Sequence, residues 1–290
     1  MEFMPDSFRT RLRDILFGRP RIALLSQQDL DVPEAPPIFL IGTFRSGTTI
    51  IRYLLDSHSR ICCSPETKFL THLAAMCDDK SLCSAVESMG LKKSYLLDQC
   101  KHFSNNFFNA YRVSKGKARW ADKTPEYVRI LDFIEELYGP HCQYVLIYRN
   151  GLDVAHSMIS VPIEPLEPDK TIEKAFEYWK KDTEIMHTWE SRYPDRCFIV
   201  RYEALCLDLE STLHTLFDFL GEQWEDGVLQ WYKKCHDRGY EDIKARRQCK
   251  INISYGNFHK WDIAIQKNLK QRSRHIHEAI DYNPDSLLPR

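Results

Sequence analysis

A short apolar segment, Ile38 to Ile41, leads directly into a glycine-containing loop and then into a helical pattern. Four consecutive apolar residues closed by Gly42 are typical of a strand buried on both faces of a parallel sheet. After Gly47, apolar side chains recur at helical spacing, at positions 50, 51, 54 and 55. The segment therefore predicts a buried strand, a tight loop and a helix in succession.

The same order of strand and helix recurs downstream. The pattern predicts helices at Tyr127 to Tyr138 and Asp153 to Ile159, and strands at Gln143 to Tyr148 and Cys197 to Tyr202. Further helical stretches, at 71–115, 171–192 and 203–238, would cover the sheet or form a cap. Strands alternating with helices in this way predict an α/β fold with a mainly parallel central sheet flanked by helices.

The chain of 290 residues shows no internal repeat and no clear internal linker. A proline-rich tether at Pro33, Pro36 and Pro37 closes an N-terminal extension, residues 1–35. The sequence therefore predicts a single domain over residues 36–290.

Composition excludes several classes of function. The net charge is −1, from 40 Lys and Arg against 41 Asp and Glu, so no overall positive field would attract nucleic acid or an anionic membrane. Apolar runs are far shorter than the roughly 20 residues of a membrane-spanning helix, and charges interrupt the first 20 residues, unlike in a signal peptide. The ten cysteines show no CxxC pair and no zinc-ligand spacing. These features predict a cytoplasmic protein with free thiols and no membrane or nucleic-acid partner.

The loop from Gly42 to Thr49 has the layout of a phosphate-binding loop. Its backbone N–H groups and the positive end of the following helix would cradle an anion. ATP- and GTP-binding loops place a Lys where this chain has Thr48, and no strand ends in an Asp that could hold a metal. Arg45 supplies a cation instead, so the loop predicts a phosphate site without a metal.

A second anion-binding pattern follows the strand at Gln143 to Tyr148. Arg149 lies directly after the strand, and Asp153 and Ser157 are four residues apart on one face of the next helix. Arg149 through its guanidinium and Ser157 through its hydroxyl could bind one phosphate together. An ordinary surface charge is the alternative for an Arg in this position.

The loop GTFRSGTT (42–49), followed in order by SPETK (64–68), ADKTP (121–125), YRNGLDVAHS (148–157) and RYEAL (201–205), resembles sulfotransferases that use 3′-phosphoadenosine 5′-phosphosulfate (PAPS). The resemblance spans about residues 38–261 and is nearest to the tyrosylprotein-type and bacterial branch. It implies a P-loop-like sulfotransferase fold and a PAPS site of ten residues. The 5′-phosphosulfate would lie against Arg45, Ser46, Gly47, Thr48 and Thr49, the 3′-phosphate against Arg149 and Ser157, the adenine near Tyr202, and Ser254 and Lys260 would belong to a segment closing over the nucleotide.

The resemblance also implies the catalytic residues. Glu66 matches the base that deprotonates the acceptor, and Lys123 with Arg45 would stabilise charge during in-line transfer. From the residues alone, Glu66 could instead be a helix N-terminal acid after an N-cap at Ser64, and Lys123 a solvated loop charge.

One departure bears on the acceptor. Secreted relatives carry a cysteine two residues before the Lys that can pair with one near the Glu, whereas this chain has Ala121 and keeps Cys63. With no signal anchor in the sequence, we expect a small-molecule acceptor, a hydroxyl or amine such as that of a secondary metabolite. The alternatives are a carbohydrate or protein-tyrosine acceptor, a P-loop kinase or NTPase with an atypical loop, and a nucleotide-binding protein without turnover.

Overall fold

The computed structural model describes residues 35–237, 239, 251, 254–283, 286, 288 and 289. The N-terminal extension up to residue 34 and the segment 240–250 lie outside the described residues.

Five parallel strands form the central sheet, in the order β2-β3-β1-β4-β5. The strands are β1 (Ile38–Ile41), β2 (Ile61–Cys63), β3 (Arg119–Lys123), β4 (Gln143–Tyr148) and β5 (Cys197–Arg201). The central strand β1 is fully buried, as its unbroken apolar run predicts. The α/β fold with a parallel sheet is confirmed.

Ten α-helices lie in the described part of the chain. They are α1 (Thr48–Asp56), α2 (Phe69–Asp78), α3 (Lys80–Ser88), α4 (Lys93–Ser114), α5 (Leu131–Tyr138), α6 (Gly151–Ile159), α7 (Ile172–Arg192), α8 (Tyr202–Leu207), α9 (Leu209–Leu220) and α10 (Ile263–Ala279). None of them is long and apolar enough to cross a membrane.

Three predicted helical stretches are divided. The stretch 71–115 separates into α2, α3 and α4, because the backbone is extended at Asp79 and at Lys92. Residues 127–138 split into a 3₁₀ segment, Pro125–Ile130, and α5, because the backbone at Ile130 leaves the helical region. The stretch 203–238 divides into α8, α9 and a 3₁₀ segment, Asp226–Lys233. Asp208 there caps α9, and Gly221 ends it with a positive φ of 72°. Helical periodicity does not reveal these interruptions because the apolar spacing continues across them.

The sheet is packed on both faces. Alternating side chains of β1 divide between them: Phe39 lies with Trp120 and Tyr144 in an aromatic cluster, while Leu40 lies with Ile51 and Val145 under α1. Both clusters are buried, so the strands are held from two sides. The carboxyl ends of parallel strands meet at one edge, which is where α/β folds place their ligands. Each segment singled out in the sequence leaves the sheet at this edge.

Candidate functional site

The loop after β1 is a tight turn stabilised by its own side chains. The Ser46 hydroxyl donates to the Thr43 carbonyl at 2.7 Å, and the backbone has positive φ at Arg45 (70°) and at Gly47 (98°). A Cβ on Gly47 would come within 2.5 Å of the Tyr202 ring. No described side chain caps α1, so the N–H groups of its first turn, at Thr48 and Thr49, stay available to an anion.

Arg149, at the end of β4, is buried beside this loop. Its Nη1 donates to the Arg45 carbonyl and its Nη2 to the Ser254 carbonyl, both at 2.6 Å, and the guanidinium lies 4.3 Å from the centre of the Tyr202 ring. The remaining Nε is buried and has no hydrogen-bond partner among the described residues. A buried cationic donor without a partner is costly, and a phosphate oxygen would satisfy it. Arg149 is therefore not a surface charge.

Arg45 connects the two anion-binding segments. Its Nε donates to the Ser157 hydroxyl at 3.0 Å, across 112 residues of sequence. Ser157 thus faces Arg45 in this structure, whereas the sequence pairs it with Arg149. Both arginines, Ser157 and the Tyr202 ring come together at one site.

Two buried residues that sequence reasoning missed hold the Arg149 loop. The Trp179 indole donates to the Arg149 carbonyl at 3.2 Å, and a Cβ on Gly151 would lie 2.4 Å from its ring. Glu203 accepts from the Asn150 N–H at 3.1 Å and from the Tyr282 hydroxyl at 2.7 Å. The Glu within RYEAL was a possible signal, because a carboxylate directly after a buried strand needs partners.

Asp153 fastens the later segment that contains Ser254 and Lys260. Its two carboxylate oxygens accept the backbone N–H groups of Gly256 and Asn257, each at 2.8 Å. Ser254 reaches the site through its carbonyl. Lys260 is exposed, and none of the contacts found between described residues links it to Arg45 or Arg149.

Glu66 and Lys123 form a buried ion pair. Glu66 lies in the loop after β2 and Lys123 ends β3, and the Lys123 ammonium donates to Glu66 Oε1. The two side chains are 9 % and 1 % exposed, respectively. Because α2 begins at Phe69, Glu66 lies outside its first turn, and Ser64 is not the N-cap. Both alternative readings, a helix-terminal acid and a solvated lysine, are wrong.

Burial controls the acidity of Glu66. Desolvation raises the pKa of this carboxyl above its usual value, although the Lys123 ammonium opposes the rise. A carboxylate whose pKa moves toward neutrality is a stronger base, and Lys123 offers a cation beside it. The pair can therefore accept a proton and stabilise negative charge at one place.

Cys63 and Ala121 are register partners on the neighbouring strands β2 and β3. Cys63 is fully buried and free. Within the described residues no group of three or more His, Cys, Asp or Glu side chains could hold a metal ion.

The comparisons with known proteins agree with this architecture. A model of the sulfotransferase family matches residues 36–226. The chain is 30 % identical over 215 residues to protein-tyrosine sulfotransferase 1 of Danio rerio. The aligned region covers 71 % of this chain and 60 % of the relative. The chain is 31 % identical over 201 residues to protein-tyrosine sulfotransferase 2 of Gallus gallus, and the aligned region covers 68 % of this chain and 54 % of that relative. The chain thus spans little more than half the length of these curated relatives.

Solved structures share the fold. The sulfotransferase domain of the Synechococcus PCC 7002 olefin synthase superposes with a TM-score of 0.63 at 21 % identity, over 89 % of this chain and 99 % of that domain. A mouse sulfotransferase, solved as a complex with PAP, superposes with a TM-score of 0.52 at 14 % identity, over 87 % of this chain and 88 % of the mouse protein. At these identities the likeness concerns the fold.

Proposed function

The chain belongs to the sulfotransferase family, and on that premise we propose that it transfers the sulfuryl group of PAPS to a hydroxyl or amine of a small-molecule acceptor. The observation that carries the proposal is that two buried or half-buried arginines and a buried acid–base pair follow the carboxyl ends of neighbouring parallel strands, at one edge of the sheet. Arg45 and Arg149 would bind the nucleotide, and Glu66 with Lys123 would serve the transfer.

The nucleotide would be held by its two anionic ends. The Arg45 to Thr49 loop and the first turn of α1 would bind the 5′ end, where the sulfuryl group is attached. Arg149 would bind the 3′-phosphate through its unpartnered Nε, with Ser157 nearby. The aromatic Tyr202 ring offers a face for the adenine, and Ser254 and Lys260 would border the bound nucleotide. PAPS supplies the activated sulfuryl group, and none of these contacts requires a metal.

Glu66 would take the proton of the acceptor hydroxyl as its oxygen attacks sulfur. The new oxygen–sulfur bond forms while the bond from sulfur to the 5′-phosphate oxygen breaks, and that oxygen leaves with the negative charge. Lys123 and Arg45 would stabilise this charge by hydrogen bonds that strengthen as it develops. A side chain that stabilises the transition state more than the substrate raises the rate.

Two observations bear on the acceptor. Cys63 has no cysteine opposite it, only Ala121, so the disulfide expected of secreted relatives is not formed at this place. This favours a small-molecule acceptor and a reducing, cytoplasmic environment. The identity to protein-tyrosine sulfotransferases favours a tyrosine side chain as the second candidate.

A transfer assay tests the proposal. The purified protein is incubated with sulfur-labelled PAPS, a chelator, and a panel of alcohols, phenols, sugars, amines and a tyrosine peptide, beside Glu66→Gln. We expect metal-independent labelling of at least one small acceptor by the wild type and a large loss in the variant. Labelling of the tyrosine peptide alone would replace the small-molecule proposal. Absence of any labelled product, together with binding of ATP and Mg²⁺, would favour the kinase alternative.

A further inference from the structure

Asp122 is a fully buried carboxylate inside β3, beside Lys123. An ionised carboxylate in such a place is tolerated only when hydrogen bonds replace its water. Three hydroxyls do so: Ser64 Oγ at 2.9 Å and Thr67 Oγ1 at 3.0 Å donate to Oδ2, and Thr124 Oγ1 donates to Oδ1 at 2.9 Å.

These donors flank the acid–base pair. Ser64 and Thr67 lie on either side of Glu66, and Thr124 directly follows Lys123. The Thr67 N–H also donates to Thr124 Oγ1 at 3.2 Å, which closes a ring of hydrogen bonds around the carboxylate. One side chain thus connects the segment that carries Glu66 with the strand end that carries Lys123.

The Glu66 segment has little other regular structure. It runs between the end of β2 at Cys63 and the start of α2 at Phe69, and the backbone at Lys68 has a positive φ of 56°. The ion pair with Lys123 depends on the charge of Glu66, which disappears when the carboxylate takes a proton. The hydrogen bonds to Asp122 do not depend on that charge, so they can hold the segment throughout the reaction.

We infer that Asp122 is a positioning residue, which holds Glu66 and Lys123 opposite each other for sulfuryl transfer. The inference rests on the proposed function for its catalytic meaning. Its structural content, that Asp122 orders the Glu66 segment, concerns this chain alone. A side chain misplaced by about 1 Å can slow a reaction by about a hundredfold. The hydrogen bonds that Asp122 accepts therefore affect the rate of sulfuryl transfer.

The kinetic test uses Thr67→Val, which removes one donor to Asp122 with little change in volume. We expect kcat to fall by at least about tenfold, with the dissociation constant for PAP unchanged, because the nucleotide contacts lie elsewhere. Thr67→Ser restores the hydroxyl and should recover most of the rate. The matched control is Thr212→Val on α9, another half-buried threonine, whose hydroxyl donates to the Asp208 carbonyl at 2.7 Å and should leave kcat unaltered. An unchanged kcat in Thr67→Val overturns the inference, as does an equal loss of PAP affinity.

Hydrogen exchange gives a readout that needs no acceptor. The Thr67 amide, bonded to Thr124 Oγ1, should exchange at least about tenfold faster in Asp122→Asn and in Thr67→Val, with the Gly42 to Gly47 loop unchanged. Ser64→Ala serves as the second variant if either protein fails to fold. Equal exchange in wild type and variants overturns the positioning role. If the wild type transfers no sulfuryl group but the Thr67 amide exchanges faster in the variants, the proposed function is wrong and the structural role of Asp122 is retained.

Discussion

Replacing Lys123 by methionine removes the cation that faces Glu66 while leaving a long side chain in its place. Lys123 is 1 % exposed and Glu66 9 % exposed, so the carboxylate would lose its ion pair in a site that water reaches poorly. Breaking a buried pair by removing one partner costs ~3–5 kcal/mol. We take ~3 kcal/mol, the lower end, because Glu66 keeps some contact with solvent.

This energy acts on the acidity of Glu66. Losing the cation disfavours the ionised form of Glu66, so the pKa of this carboxyl rises in the variant. The direction follows from burial, which already raises this pKa and which Lys123 opposes in the wild type. Glu66 must be ionised to accept a proton, so activity rises with pH through its pKa. The acidic limb of the profile should therefore move to higher pH in Lys123→Met.

The assay is the pH dependence of kcat/KM for the acceptor, which reports groups of the free enzyme. Lys123→Arg keeps the charge. Its acidic limb should therefore lie at the wild-type pH, although the absolute value of kcat/KM is expected to differ. The second control, Lys68→Met, removes a partner of Glu126 at 2.8 Å from a pair that is 31 % and 24 % exposed, and should move the limb little. An acidic limb at the wild-type pH in Lys123→Met would refute the assignment of Glu66 as a base tuned by Lys123.

Three further predictions follow from the same contacts. Arg149→Ala should weaken PAP binding by about tenfold to a hundredfold in calorimetry, since it removes charge-assisted hydrogen bonds, whereas the exposed Arg192→Ala should not change it. Gly239→Ala should lower kcat but spare PAP affinity, because its Cβ would lie 2.5 Å from the Pro65 Cβ in the Glu66 segment; full activity would contradict this. Burial raises the pKa of Asp122 from 3.8 to about 6, so the folded state binds the extra proton and its stability falls as pH rises through that range. Relative to Asp122→Asn, the wild type should lose about 2 kcal/mol of unfolding free energy between pH 4 and 7, and parallel stability curves would contradict the assignment.

The fold could be predicted from the sequence because its signals are local. The apolar run of β1, closed by Gly42, specifies a buried parallel strand, and the helical spacing after Gly47 specifies α1. The breaks at Ile130 and Asp208 could not be predicted, because a few backbone angles decide them while the apolar spacing continues.

The candidate site was predictable where residues carry charge in a motif, as at Arg45, Glu66, Lys123 and Arg149. Which of them touch was not, because the contacts join distant segments: Ser157 meets Arg45 across 112 residues. Supporting residues were missed for the same reason. Asp122 reads as one more charge in ADKTP until the sheet brings Ser64 and Thr67 to it across 58 and 55 residues of sequence.

The central claim is that this edge of the sheet binds a nucleotide with phosphates at both its 3′ and 5′ positions and needs no metal. Calorimetric titration of the purified protein with PAP in the presence of a chelator tests it most directly. We predict one-to-one binding at micromolar concentrations or below, weakened in Arg149→Ala. No binding of PAP at millimolar concentration, with binding of ATP and Mg²⁺ instead, would contradict the account.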